Sequence, residues 1–296
     1  MSLEGVNNRI DDRQRQLENW LSRHISENLQ GVPAGSDAGF RRYFRYQLQD
    51  QSVIAMDSPP QLLDCEPFVR IAKQLRDAGI SAPAVLAQDI EQGFLLLSDL
   101  GVDTYLDAMN RSGFSIADAD NLFTDAIDTL IIMQQRCDTA ALPVYDEAFL
   151  RRELELFPEW YLQGHMGLSI DTNLRACLQR LFDHLIEQIL TQQKVFMHRD
   201  YMPRNLMMPQ DAGAGGVESP ADHSDAHIGV LDFQDAVYGP VSYDIASLFR
   251  DAFISWPEEK VREWTFNYWH KAIDAKLPVP QQFEDFERDC DYAVTQ

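Results

Sequence analysis

The residues with the clearest chemical capacity lie in the run HRDYMPRN, which carries His198, Asp200 and Asn205, and in IGVLDF, which ends on Asp232 and Phe233. A loop carboxylate, an amide five residues on and a second carboxylate closing an apolar strand make three oxygen-bearing side chains. Phosphoryl transfer needs that set: one carboxylate orients the attacking hydroxyl, and oxygen ligands hold Mg²⁺ against nucleotide phosphates. The spacing predicts Asp200 as catalytic base and Asn205 and Asp232 as magnesium ligands. His198 reads as a structural hydrogen-bonding residue rather than an acid or base. Taken singly, HRD or LDF occurs by chance, and Asp or Asn in a loop usually caps a turn. Both halves, in order and each in its expected context, favour the chemical reading.

Elements must then bring these residues together. Apolar residues recur at helical spacing from Ile10 to Leu29, so an amphipathic helix opens the chain. GVPAGSDAG reads as a Gly-rich turn and is followed by strand patterns at Phe40 to Leu48 and Ser52 to Asp57. A helix over Cys65 to Ala78, capped by Gly79, and short strands near Ala84 to Gln88 and Phe94 to Leu97 complete a small β-rich lobe. Beyond Asp99 helical patterns dominate, at Asp118 to Arg136, Phe149 to Tyr161, Thr172 to Gln193 and Tyr243 to Phe253. The expected architecture is α+β in two lobes, an N-lobe over 1–98 and a mostly helical C-lobe over 99–296, joined near Ser98 to Gly101. Pro209 to His227 has no apolar period and reads as a surface loop, too loose for His223 and His227 to preorganise a metal site.

Composition excludes several classes. The 296 residues carry 25 Lys and Arg against 47 Asp and Glu, a formal charge of -22, which repels polyanions and sets aside nucleic acid and anionic membranes as partners. Four cysteines lie far apart with no CxxC pair, arguing against a zinc site or a disulfide framework and for a reducing compartment. No apolar run has the length of a membrane span, and the N-terminus lacks the apolar middle of a secretory signal, so the expectation is a cytoplasmic protein. DYAVTQ breaks off within a helical pattern, as in a chain that continues.

HRDYMPRNLM followed by GVLDFQDAVYGPVSYDIASLFRD resembles the paired signature of the aminoglycoside/choline phosphotransferase family, and the likeness covers nearly the whole chain. Within that family, SDAGFRRYFR, AMDSPPQLLDCEPF, FLLLSDLG and RRELELFPEW are most similar to bacterial kinases that phosphorylate N-acetylmuramate and N-acetylglucosamine at the anomeric hydroxyl. The resemblance implies a protein-kinase-like fold, ATP and Mg²⁺ as cofactors and a small-molecule sugar acceptor. It also implies that the connection from Ser98 to Leu100 presents backbone groups to adenine, and that Asp244 braces the catalytic loop. An acidic residue in a first helical turn is favourable by itself, and both readings of Asp244 stay open. The short run from Asp232 to Asp244, with no APE motif after it, leaves no segment on which to lay a peptide substrate.

One departure stands out. The third strand, VIAMD, lacks the phosphate-clamping lysine, and Lys73 falls on the next helix. Period-two alternation places Arg41, Tyr43 and Arg45 on one face of their strand and Arg42 on the other. If the first face looks into the cleft, Arg41 is the candidate phosphate contact; the alternative is a row of solvent-facing edge-strand charges. Arg152 and Trp160 are candidates for the acceptor pocket, since Arg suits a carboxylate and aromatic faces suit sugar rings. Two other functions fit the same residues: a kinase for a cationic acceptor such as an aminoglycoside or choline, and a catalytically dead nucleotide-binding regulatory module.

Overall fold

The computed structural model describes residues 3–25, 30–35, 40–49, 51–209 and 228–295. Positions 36–39 of the Gly-rich turn and 210–227 of the surface loop lie outside them. The opening helix starts earlier and stops sooner than its pattern predicts: α1 spans Leu3–Leu21. Leu17, Trp20 and Leu21 are its buried face.

Five antiparallel strands follow, β1 (Val32–Pro33), β2 (Arg42–Gln47), β3 (Ser52–Asp57), β4 (Val85–Asp89) and β5 (Phe94–Ser98), ordered β1-β2-β3-β5-β4. Helix α2 (Glu66–Asp77) is inserted between β3 and β4. Two helices cover the two faces. Phe44, Tyr46, Val53, Ala55, Phe94 and Leu96 pack with α1, while Met56, Leu95 and Leu97 join Phe68, Ile71 and Leu75 of α2. β5 is therefore buried on both sides, which is why FLLL reads as an unbroken apolar run rather than an alternation. α2 ends as predicted: Gly79, at φ 89, lets the Ile80 amide reach Leu75 O at 2.9 Å and its own amide reach Arg76 O at 3.0 Å.

The remainder is mostly helical, with α3 (Tyr105–Met109), α4 (Ile116–Arg136), α5 (Glu147–Leu154), a π-helical stretch Phe157–His165 and α6 (Thr172–Thr191). β6 (Lys194–Met197) pairs with β9 (Val237–Pro240), and β7 (Leu206–Met207) pairs with β8 (Gly229–Val230). Helices α7 (Tyr243–Phe249), α8 (Glu258–Asp274) and α9 (Phe283–Thr295) close the chain. The α2 core continues without a break into Phe123, Ile127, Val230, Phe233 and Leu248, so one apolar mass joins the sheet lobe to the helical portion. Among the described residues, no helix is long and apolar enough to cross a membrane.

Candidate active site

β6 ends at Met197, and the chain enters the candidate catalytic loop through His198 and Arg199. Asp244, fully buried in the first turn of α7, accepts the His198 amide at 2.7 Å and the Arg199 amide at 3.0 Å. Of the two readings of this aspartate, the geometry is that of a brace. It holds Arg199 at φ 78, a left-handed conformation costing an L-residue roughly 1–3 kcal/mol that surrounding structure must offset. Burial pushes the Asp244 carboxyl up to about 7, against the pull of its two amide donors. His198 is also fully buried; burial lowers its pKa to about 4, so the ring is neutral and its Nδ1 accepts the Asp200 amide at 3.2 Å. It acts as the structural residue the sequence suggests. Tyr201 anchors the loop to α4 by donating its hydroxyl to Ala126 O at 2.8 Å.

Asp200, Asn205 and Asp232 are brought together by three connections. Asn205 donates its Nδ2 to the Asp200 carbonyl at 2.8 Å, which leaves its Oδ1 free to ligate. The Leu231 amide donates to Asn205 O at 2.9 Å, so Asp232 follows directly on a bond to the other half of the site. The β7/β8 pair, Leu206 opposite Val230 and Met207 opposite Gly229, fixes that register. Asp232 sits at φ 61, with Gln234 Nε2 2.7 Å from its Oδ1. Phe233 turns inward against Phe68 of α2, ring centroids 4.8 Å apart. Burial and the charge of Asp232 raise Asp200 to about 6, while Arg199 and Arg204 pull it down. That value suits a base working near neutrality. Among the described residues no three His, Cys, Asp or Glu side chains cluster as a metal cage. Asn205 and Asp232 are candidate oxygen ligands, a pair that would suit magnesium if substrate phosphates completed its shell.

On the sheet side, the strand alternation holds. Arg42 faces α1, with Nε 3.1 Å from Asp57 Oδ2, and Asp57 also accepts Arg13 Nε at 2.8 Å. Arg45, on the opposite face, donates to Asp99 and to Gly101 O at 2.6 Å. Although burial acts the other way, Arg45 and its neighbours hold Asp99 below the usual carboxylate range. Arg41 differs: its Nε is buried with no hydrogen-bond partner among the described residues, and its charge reaches Cys65 at the head of α2. Met56 is fully buried in the core, so β3 brings no cation to this face. Ser98 already donates its amide to Ala84 O at 2.9 Å and accepts the Ala84 amide on its hydroxyl. Leu100 lies against the β7/β8 pair: a Cβ placed on Gly229 would stand 3.0 Å from Leu100 Cδ1 and 2.9 Å from Met207 Cβ.

Of the two candidates for an acceptor pocket, Arg152 lies 4.5 Å over the Phe149 ring, and Trp160 is 69% exposed in the π-helical stretch. Phe157, Tyr161 and His165 stack there in a ladder with successive centroids 5.6 Å apart. Sequence reasoning overlooked Glu153. Its segment RRELELF was legible as a motif, but its partner Arg199, at 2.6 Å, is distant in the chain and no local pattern announces the pair.

A family model described as a phosphotransferase enzyme family matches residues 30–278. The N-acetylmuramate/N-acetylglucosamine kinase of Pseudomonas aeruginosa is 46% identical over 292 residues, 95% of this chain and 80% of that protein. The Neisseria meningitidis protein of the same name is 40% identical over 93% of this chain and 78% of its own length. Among solved structures, ADP-bound aminoglycoside phosphotransferase APH(2'')-Ib superposes with a TM-score of 0.60 at 15% identity, over 93% of this chain and 85% of that one. Choline kinase LicA from Streptococcus pneumoniae gives 0.53 at 12% identity, over 95% and 100%. These share the protein-kinase-like fold, a small antiparallel sheet lobe on a helical portion. By sequence and by fold, the chain belongs to the phosphotransferase enzyme family and is a kinase.

Proposed function

We propose that the protein transfers the γ-phosphate of ATP to the anomeric hydroxyl of a cell-wall amino sugar, N-acetylmuramate or N-acetylglucosamine, as a step in peptidoglycan recycling. The observation carrying the chemistry is the Asn205 bond to the Asp200 carbonyl, which ties the candidate base to a candidate metal ligand. The substrate class rests on the relatives' names at 40–47% identity over most of the chain.

In this reading Asp200 aligns the acceptor hydroxyl and takes its proton as the oxygen attacks phosphorus, with no covalent enzyme intermediate. Asn205 and Asp232 would hold Mg²⁺, which would supply neutralisation of charge on the phosphates. Arg41, whose buried Nε lacks a described partner, is the contact for nucleotide phosphate in place of the absent lysine. Leu100 and the carbonyl of Ser98 face the adenine. Residues 1–98 form the nucleotide-binding lobe and 99–296 the catalytic and acceptor-binding lobe. The setting is the cytoplasm, where ATP is available.

The test is phosphate transfer from ATP to each amino sugar, with the product examined for a 1-phosphate. Gentamicin and choline belong in the same panel, because the fold neighbours include kinases for such cations. Turnover of a cation and neither sugar would replace the substrate assignment. No Mg²⁺-dependent ATP consumption with any of the four would favour the regulatory module.

A further inference from the structure

Arg199 directly precedes Asp200, yet its side chain leads away from it. The left-handed backbone at Arg199, held by the Asp244 brace, sends the guanidinium to α5, where NH2 lies 2.6 Å from Glu153 Oε1. Both side chains are less than a quarter exposed, at 24% and 22%. The guanidinium also stands 4.9 Å over the Phe149 ring, and its NH1 reaches the Asp235 carbonyl at 3.5 Å. Glu153 is itself fixed, because its Oε2 accepts the hydroxyl of fully buried Tyr145.

Three carboxyl groups share the field of this arginine, Glu153, Asp200 and Asp244, the last already engaged by two main-chain amides. A half-buried guanidinium deprived of one carboxylate is driven to another, since an unpaired charge there is costly. Asp200 is adjacent in the chain. An arginine paired with it would occupy the oxygen that has to receive the acceptor's proton.

We propose that Glu153 is a positioning residue for phosphoryl transfer: it holds the Arg199 guanidinium off Asp200, keeping a carboxylate oxygen open to the acceptor hydroxyl. The proposal rests on Asp200 being the base. It also makes Glu153 of α5 part of the transfer machinery without touching substrate.

The test compares Glu153→Gln, Arg199→Met and the double variant in the full chain, with ATP, Mg²⁺ and N-acetylglucosamine or N-acetylmuramate. Gln keeps an acceptor oxygen for the Tyr145 hydroxyl. Glu153→Gln is expected to lower kcat about 10- to 100-fold with both KM values within about twofold, the mark of an interaction felt in the transition state. Removing the arginine as well is expected to restore kcat to within about threefold of Arg199→Met, a coupling that independent structural losses do not produce. A double variant no better than Glu153→Gln, an inactive Arg199→Met, or an unchanged Glu153→Gln overturns the proposal. A crystal structure of Glu153→Gln decides it without reference to the acceptor: the guanidinium within hydrogen-bond distance of Asp200 supports it, and a guanidinium still directed at residue 153 refutes it. Full activity in Asp200→Ala would instead refute the base assignment.

Discussion

The Asp244 carboxylate accepts the main-chain amides of His198 and Arg199 together, at 2.7 and 3.0 Å, so a single buried side chain sets the backbone on which the candidate base is carried. Removing it orphans two buried donors, each costing about 1–3 kcal/mol. Asp244→Ala is expected to lower stability by several kcal/mol in denaturant titration and to reduce kcat in the folded fraction. Asp244→Asn retains one acceptor oxygen and should lose less of both; equal losses would argue against the brace.

Loss of the base should spare nucleotide binding. Asp200→Asn is expected to lower kcat by about 10²–10⁴-fold, the range for a general base. The Kd for Mg²⁺-ATP, read by calorimetry, should remain within about twofold of the parent's.

Activity should fall on the acid side. Burial and Asp232 raise Asp200 to about 6, and only its unprotonated form accepts the acceptor's proton, so kcat/KM is expected to drop as pH falls through about 6. Arg204 acts in the opposite sense on the same carboxyl. Arg204→Gln should therefore move the acid limb to higher pH; movement to lower pH would contradict the assignment of that limb to Asp200.

His198 should make folding acid-sensitive. Its pKa is depressed in the folded state to about 4, from 6.5, because its burial disfavours the imidazolium. The unfolded chain then binds the extra proton between those values, so stability is fully present above about 6.5 and lost as pH falls toward 4. At roughly 1.4 kcal/mol per pH unit, this one group accounts for about 3 kcal/mol. Subtracting the pH–stability curve of His198→Asn from that of the parent should expose the component; parallel curves would exclude it.

Gly229 permits the contact between Leu100 and the β7/β8 pair. Gly229→Ala places a methyl against Met207 and Leu100, an overpacking expected to cost about 1–3 kcal/mol. ATP affinity should weaken as Leu100 is displaced, measured by calorimetry on the folded variant.

Sequence alone carried the local facts. Strands β2 to β5 and helices α2, α4, α6 and α7 followed from periodicity and from markers such as Gly79, because helical and strand spacings are written residue by residue, whereas β1, β6, β7, β9 and α3 were not announced by it. The candidate site residues could be singled out because Asp200 and Asn205 share a short loop and Asp232 closes an apolar strand. Tertiary structure decided what depends on partners far apart in the chain. α1 stopped at Leu21 although apolar spacing ran on to Leu29, and Ile25 packs into the same cluster as Leu17, Trp20 and Leu21 from outside the helix. Three arginines of one strand segment look alike in sequence, but Asp57 and Asp99 engage Arg42 and Arg45 and leave Arg41 apart. Asp244 became a brace rather than a helix-end charge, and Glu153 became the partner of Arg199, for the same reason. Ion pairs and buried hydrogen bonds form across packed elements, and their distances exist only once the one apolar mass beneath both lobes has assembled.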